Sequence, residues 1–493
     1  MLPPSFELLS RRACSALGAA LVLTLAACGS DRGVPDGIAG GYNGGGVGGV
    51  TGSDCYQGPA PTASGDGAAV ITIDPKTTYQ TMQGFGASMR LFDDPRTTNT
   101  TDLATKRGTA VPSDIEQNVI LDRLYTDAGL TRVRFLPSDG GGIEPVNDNA
   151  DPLTTDLSKF DFSWKNGDGQ LGYMPSLVRR GVSMWFAAPL TQEKWMTSAN
   201  PAEYAEWAIT MLRHWKDAGY EMPYFSLENE PGTAAGGNLS GAYLRDVAKL
   251  LGARIKAEGL KTKLVVPDDV NPAEAYSRLQ VILADADARQ YVGAIAYHLG
   301  ARGGEDKIKQ LGDQYSIPVW VTEFATTDAD WFDAATTLHE LIAVDGVSAV
   351  DYESAFSGDF ESSQLVRLVT TNGSYTRYSR TLQYYTLGQY SRFVRPGAVR
   401  VAATSNDPSV LASAYVDGTK LIIVVTNVAH PGDFFERRMR IELGSGGPCV
   451  KRADVVRTGA ADNWSPLSTV SVDVPRISLT LPVHSITTFV GQR

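Results

Sequence analysis

Ile317-Pro-Val-Trp-Val-Thr-Glu-Phe324 is an apolar run that ends on a carboxylate. Valines and a tryptophan fill it, and Glu323 stands where the chain leaves the run. Upstream, Tyr224-Phe-Ser-Leu-Glu-Asn-Glu-Pro231 has the same form, with Glu230 at its exit. Strands covered on both faces read as near-continuous apolar stretches of this kind. Further strand-and-helix units lie between the two. Parallel strands of a closed barrel all exit at one rim, and that rim is where such a fold gathers its chemistry. Two carboxylates delivered there suit a reaction that needs one acid protonated and the other ionised.

Working outward, buried-strand runs alternate with helix patterns from Gln83 to about Ala349. Gly84-Phe-Gly-Ala-Ser88 reads as the first strand, Thr131-Arg-Val-Arg-Phe-Leu-Pro137 as the second and Ser183-Met-Trp-Phe-Ala-Ala-Pro189 as the third. The Glu230 run is the fourth. Lys263-Leu-Val-Val-Pro267, Val292-Gly-Ala-Ile-Ala-Tyr-His298, the Glu323 run and Val347-Ser-Ala-Val-Asp351 complete eight. Eight units over roughly 270 residues predict a (β/α)8 TIM barrel. The helices carry their own punctuation. Ser113 with Glu116 reads as a capping box, with Ile115, Val119, Ile120 and Leu124 on one face and Gly129 as the stop. Asn200-Pro-Ala-Glu203 and Asn271-Pro-Ala-Glu274 repeat one device: Asn caps, Pro takes the first turn and Glu closes back. Trp207, Met211 and Trp215 recur at helical spacing and read as core.

After about Leu387 the pattern changes to short β-rich runs: 399–403, 411–415, 420–426, 438–442, 468–474, 478–482 and 485–490. Gly, Asp, Asn and Pro punctuate them, as in an antiparallel β-sandwich. Ala69-Val-Ile-Thr-Ile73 has the same character and is expected to lend a strand to that second domain. The expected boundaries are therefore 67–80 for this strand, 81–386 for the barrel and 387–493 for the side domain.

Residues 1–27 read as an export signal: Arg11 and Arg12 precede an apolar stretch, Ala16–Ala27, too short to span a bilayer. Leu25-Ala-Ala-Cys28 resembles a bacterial lipobox, with Cys28 as the lipidated residue. This predicts a cell-surface or periplasmic lipoprotein, at the outer membrane if the cell is Gram-negative, held to the membrane by the lipid alone. Residues 28–66 read as a Gly-rich tether. The 493-residue chain carries a formal net charge of −11 and no basic stripe, which argues against nucleic acid as a partner. It has four cysteines. With Cys14 in the signal and Cys28 acylated, Cys55 and Cys449 remain and are expected to form a disulfide in an oxidising compartment. No Cys/His spacing suggests a metal site.

Gln80-Thr-Met-Gln-Gly-Phe-Gly86, Leu227-Glu-Asn-Glu-Pro231, Trp320-Val-Thr-Glu323, Tyr385-Thr-Leu-Gly-Gln-Tyr-Ser-Arg-Phe-Val-Arg-Pro-Gly397 and Leu481-Pro-Val-His-Ser-Ile-Thr-Thr-Phe489 together resemble glycoside hydrolase family 30. The resemblance runs from about residue 68 to the end. It implies a retaining β-glycosidase of clan A that needs no cofactor, takes a polysaccharide or oligosaccharide substrate and has Glu323 as nucleophile and Glu230 as acid/base. Asn229 is placed to bond a sugar 2-hydroxyl, and Arg134 to keep Glu323 ionised. The resemblance also marks His298 at the end of strand six and Trp195 after strand three, while Trp331 after strand seven is a further candidate platform. Glu228 is expected to support the site from one layer deeper, and Asp268 or Asp269 to meet sugar hydroxyls or solvent. A monomer is expected.

Three departures concern the subsites. Leu190-Thr-Gln-Glu-Lys194 replaces a Trp-Ser-Pro-Pro-like run. Gly300 stands where a tyrosine is common, and the eighth strand offers Tyr352 and Phe356 in place of a tryptophan. The sequence thus leaves the sugar open among glucosylceramide, xylan and β-1,6-linked glucan or galactan. Two other readings stay open: a surface glycan-binding lipoprotein without turnover, and a neighbouring clan A family.

Overall fold

The computed structural model describes residues 67–93, 111–137, 142–163, 170–196, 200–326, 331–358, 363–429, 436–471 and 476–492. All belong to one compact unit, Gly52–Arg493. The export signal, Cys28, the tether and Cys55 lie outside the described residues.

Eight parallel strands close into a barrel: β2 (Gly84–Met89), β3 (Arg132–Phe135), β4 (Met184–Ala187), β5 (Tyr224–Ser226), β6 (Lys263–Asp269), β7 (Val292–His298), β8 (Val319–Phe324) and β9 (Ala349–Tyr352), with β1 (Ala69–Thr81) preceding them outside the barrel. These are the eight runs read from the sequence. Inward-facing side chains of the strands fill the barrel interior. Phe186, Val265, Ala294, Ala296, Trp320 and Ala349 form its apolar plug. Within it, Arg132 makes a bidentate pair with Asp351, at 3.0 and 2.8 Å, both fully buried. The Arg132 guanidinium also lies 4.2 Å over the Trp320 ring. That places a compensated charge pair beneath the catalytic rim, where an unpaired charge would be costly.

The helices form where their signals stand. Ser113 and Glu116 make the reciprocal capping box of Asp114–Leu121. Ile115, however, is 79% exposed: its helix packs through Ile120 and Leu121, so Ile115 falls off the buried face. The chain continues into a π-helical turn, Asp122–Asp127, which shifts the spacing before Gly129 ends it at φ 67. Asn200 and Asn271 cap Pro201–Asp217 and Pro272–Ala284 by accepting from Glu203 N and Glu274 N, at 3.4 and 2.9 Å. Trp207, Met211 and Trp215 are buried between the strands and the helix layer.

Residues after β9 first form a small sheet that the sequence reading missed: β10 (Ser354–Gly358), β11 (Gln364–Thr371) and β12 (Ser374–Arg380). Asn372-Gly373 joins β11 to β12 with both residues at positive φ, 52° and 77°, the conformation of a tight hairpin turn. The helix Leu382–Ser391 follows and is buried from Gln383 to its end. The change of pattern read at Leu387 thus falls inside a helix.

The side domain is one nine-stranded sheet, ordered β18-β17-β20-β15-β14-β13-β1-β16-β19. Its strands are β13 (Val399–Ser405), β14 (Val410–Asp417), β15 (Lys420–Asn427), β16 (Arg437–Leu443), β17 (Arg452–Gly459), β18 (Asp462–Ser471), β19 (Arg476–Leu481) and β20 (Ser485–Gln492). Pairing is antiparallel except between β1 and β16. Strand β17 was not anticipated. Alternation on β15 shows how the domain works. Leu421, Ile423 and Val425 enter the domain's own core, while Ile422 and Val424 join the barrel's core. Trp464 fastens the two: its Nε1 donates to Tyr385 O at 2.6 Å, and its ring occupies the space a Cβ on Gly388 would need, 2.0 Å from Cζ2. Cys449 is disulfide-bonded.

Candidate active site

Strand register assembles the site. Arg134 on β3 pairs alongside Ser88 on β2, and His298 on β7 alongside Glu323 on β8. Both β6 and β8 carry irregularities where they pair with β7, between Pro267 and Asp269 and between Val321 and Glu323. Bulges next to functional sites re-aim side chains. Asp268 is the extra residue on β6, at φ 63. Glu230 is also left-handed, at φ 49. That conformation is strained for a non-glycine residue and persists where the surroundings enforce it. The surroundings here are explicit: Glu230 N donates to Asp268 O at 2.9 Å, and Thr233 N donates back to Glu230 O at 2.9 Å. A Cβ on Gly236 would lie 2.2 Å from that same carbonyl.

Arg134, fully buried, is the hub. Nη1 donates to Glu323 Oε1 and, at 3.3 Å, to Ser88 Oγ. Nη2 donates to Asn229 Oδ1 at 2.7 Å and to Asp268 Oδ2 at 3.0 Å. With its oxygen taken, Asn229 has its NH2 left to offer a ligand. His298 stands between the carboxylates: Nδ1 is 3.1 Å from Glu230 Oε1 and 3.4 Å from Glu323 Oε2, and Nε2 is 3.5 Å from Asp268 Oδ1. One oxygen each of Glu230 and Glu323 lie within 4.8 Å of one another. So close an approach suits a direct nucleophile, whose carboxyl group stands about 5–5.5 Å from the acid, better than the roughly 6.5–9.5 Å separation that leaves room for a water.

Electrostatics follow from this packing. Burial opposes the charge on Arg134, but Asp268 and Glu323 outweigh it and its pKa rises. Burial opposes ionisation of Asp268 as well, yet Arg134, His298 and the Thr322 hydroxyl hold it well below the usual carboxylate range. For Glu230 the hydrogen bond from His298 leads, and its pKa moves down against burial. Burial would lower His298, but Glu323, Asp268 and Glu230 together push it up to about 10. The shifts of Glu230 and His298 concern one shared proton. In the ligand-free site that proton rests on the imidazole.

Glu230, His298 and Glu323 also satisfy the spacing of a three-ligand cation site. A charged imidazole is no metal ligand, however, and Arg134 already neutralises Glu323. The donor set as charged here suits a proton better than a metal ion.

The remaining expectations divide. Arg134, Asn229, Glu230, His298 and Glu323 are brought together. Trp195 and Trp331, both half-buried, make no hydrogen bond or ring contact with that cluster among the described residues. Trp195 Nε1 donates to Glu144 O at 2.5 Å, and Trp331 packs edge-on against Phe332. Asp268 and Asp269 are fully buried, which corrects the expectation that they meet sugar or solvent. The bulge turns Asp268 onto Arg134, and Asp269 pairs with Arg278 at 3.0 Å. Glu228 is buried with neither oxygen hydrogen-bonded among the described residues, and burial raises its pKa well above the usual range. Its carboxyl interacts with the buried Tyr204 and Tyr243. Tyr352 and Phe356 are buried too. The Tyr352 hydroxyl bonds Thr326, and Phe356 stacks on Phe92 at 4.0 Å. At Gly300 a Cβ would sit 2.7 Å from Val270 O, so the backbone itself excludes a side chain there.

No family model matches the chain. A glucuronoxylanase of Bacillus subtilis is 25% identical over 298 residues, 59% of this chain and 66% of the relative. An endo-1,6-beta-D-glucanase of Neurospora crassa is 22% identical over 404 residues, 72% of this chain and 81% of the relative. Among solved structures, the glycoside hydrolase family 30 subfamily 8 xylanase of Clostridium acetobutylicum superposes with a TM-score of 0.65 at 22% identity, over 86% of this chain and 99% of that one. The protein is thus a closed parallel barrel with a side β-domain and a carboxylate pair at the strand exits. Its fold is that of glycoside hydrolase family 30 structures.

Proposed function

We propose that the protein is a retaining β-glycoside hydrolase acting on a β-linked polysaccharide or oligosaccharide, with Glu323 as nucleophile and Glu230 as acid/base. The observation that carries the reading is the pair of carboxylates from the ends of β5 and β8, within 4.8 Å and bridged by His298. Arg134 pairs with Glu323 and aims it. Glu323 attacks the anomeric carbon while the leaving oxygen takes a proton from Glu230. That proton comes from His298 Nδ1 along the 3.1 Å contact, because Glu230 alone is held ionised. Asp268 stabilises the imidazolium from its other side. Glu230, then a carboxylate, takes a proton from water as water opens the glycosyl-enzyme. Asn229, held by Arg134, offers its NH2 to a ring hydroxyl, a contact that strengthens in the transition state.

The relatives are named for different polysaccharides, a glucuronoxylan and a β-1,6-glucan, so the substrate class is proposed no more narrowly than β-linked glycan. The test is a panel of such glycans, with the first-formed anomer of the product read by proton NMR. A β-anomer forming first supports the reading. An α-anomer forming first refutes retention, and binding without turnover supports the surface glycan-binding alternative.

We also propose export with a lipid on Cys28. Metabolic labelling with radioactive palmitate should mark the protein and miss a Cys28→Ala variant. No helix among the described residues is long and apolar enough to cross a membrane.

A further inference from the structure

The loop that carries Glu230 needs a hold from outside. Glu230 opens it at φ 49, and Gly237 and Asn238 are left-handed as well, at 84° and 51°. Left-handed backbone at a non-glycine residue is strained and persists only where neighbours enforce it. Most of the loop's bonds are internal. Thr233 N and the Thr233 hydroxyl both donate to Glu230 O at 2.9 Å, Gly236 N donates to Thr233 Oγ1 at 3.1 Å, Asn238 N to Thr233 O at 2.8 Å and Leu239 N to Pro231 O at 2.6 Å. These bonds give the loop a shape but no position on the barrel. Among the described residues, three groups of 230–239 bond outside it. Glu230 N donates to Asp268 O at 2.9 Å, Gly232 N donates to Asp269 Oδ1 at 3.3 Å, and Leu239 O accepts from Arg278 Nε at 2.9 Å. Two of the three run through one ion pair. Arg278 Nη1 lies 3.0 Å from Asp269 Oδ2, with the two side chains 12% and 0% exposed.

Both partners are themselves fixed. Glu274, one turn earlier on the helix Pro272–Ala284, accepts from Arg278 Nη1 at 2.8 Å, and Asp269 Oδ1 also accepts from Val270 N at 2.9 Å. The packing is close: a Cβ on Gly232 would stand 2.8 Å from Arg278 Nη2. The pair therefore grips the loop at both ends, Asp269 near its start and Arg278 near its finish. Neither side chain bonds Arg134, His298, Glu323 or the Glu230 carboxyl among the described residues. Desolvation largely offsets the attraction within a buried ion pair, so net stability is a poor account of this one. We propose that Arg278 and Asp269 are positioning residues that hold the Glu230 loop and so set where the acid/base carboxyl stands. Their role rests on Glu230 being the acid/base. That carboxyl must meet both His298 Nδ1, 3.1 Å away, and the leaving oxygen of the substrate. A misplacement of about 1 Å can cost about a hundredfold in rate.

The test compares Arg278→Met with wild type on two β-glycosides of one sugar, one with a good leaving group and one with a poor one. kcat/KM reports formation of the glycosyl-enzyme, where the poor leaving group needs Glu230 as acid and the good one does not. It should fall at least about tenfold on the poor leaving group and less than about threefold on the good one. On the good one kcat should fall, because water needs Glu230 as base, and sodium azide, which attacks without a base, should restore it. Arg278→Lys keeps a charge beside Asp269 and should recover part of the loss. Asp269→Asn keeps an acceptor for Gly232 N and should show the same skew to a lesser degree; it carries the test if Arg278→Met fails to fold. Equal losses on both glycosides, or no loss on either, overturn the proposal while the glycosidase reading stands. A wild type that turns over no β-glycoside overturns the glycosidase reading, and this role for the pair with it.

Discussion

Replacing His298 with glutamine separates the two jobs of the shared proton. In the wild type the proton rests on an imidazole whose pKa is about 10 and reaches Glu230 over 3.1 Å. The free-enzyme alkaline limb of kcat/KM should therefore lie near 10 for substrates that need protonation. In His298→Gln the proton must reside on Glu230. A catalytic carboxylic acid beside an ionised partner titrates near ~6. At pH 8 only about 1 in 100 molecules would then hold the proton, so kcat/KM should fall about 100-fold. Near pH 5 the loss should be within about tenfold, since Glu230 is then largely protonated. The assay is kcat/KM from pH 4 to 10 on a β-glycoside with a poor leaving group. An alkaline limb unmoved from about 10, or an equal loss at every pH, would refute the proton-store reasoning.

Four further outcomes follow from the same geometry. Stability also reports on His298: its raised pKa contributes stability that is fully present below about 6.5 and lost as pH rises through about 10, so the wild type should lose more than His298→Gln over that window in chemical denaturation. Glu323→Gln should reduce turnover of every substrate by at least roughly a thousandfold, while Glu230→Ala should spare aryl glycosides with good leaving groups; equal losses on both substrate kinds would mean the roles are misassigned. Arg134→Met leaves Asp268 and Glu323 without their buried cation and should cost about 3–5 kcal/mol of stability, read by urea unfolding. Gly388→Ala drives a Cβ into the Trp464 ring and should cost about 1–3 kcal/mol, seen as a lower Tm with the pH profile unchanged.

The barrel was legible because each of its eight strands is covered on both faces and so reads as one apolar run. Glu230 and Glu323 were legible because each ends such a run. Asp268 was not. Strict alternation gives no sign of a bulge, and the residue that the bulge turns onto Arg134 resembles any acid at a strand exit. Arg132 and Asp351 are distant in sequence and meet only when β3 and β9 share the barrel interior. The small sheet did leave a signal: Asn372-Gly373 between alternating residues marks a hairpin. Strand β17 left little, because Arg452, Asp454 and Arg457 interrupt its apolar residues. Ile115 shows the converse error, since helical spacing alone does not say which side of a short helix meets the core.

The central claim is that Glu323 forms a covalent bond to the sugar. It is tested most directly with a slow β-glycoside that carries fluorine at carbon two and a good leaving group, using whichever sugar the glycan panel identifies. The intermediate should accumulate, and the intact protein should gain the mass of one glycosyl unit. Peptide mapping should place that unit on Glu323 in wild type and find none in Glu323→Gln. A label on any other residue, or release of an inverted product with no label at all, would contradict the account.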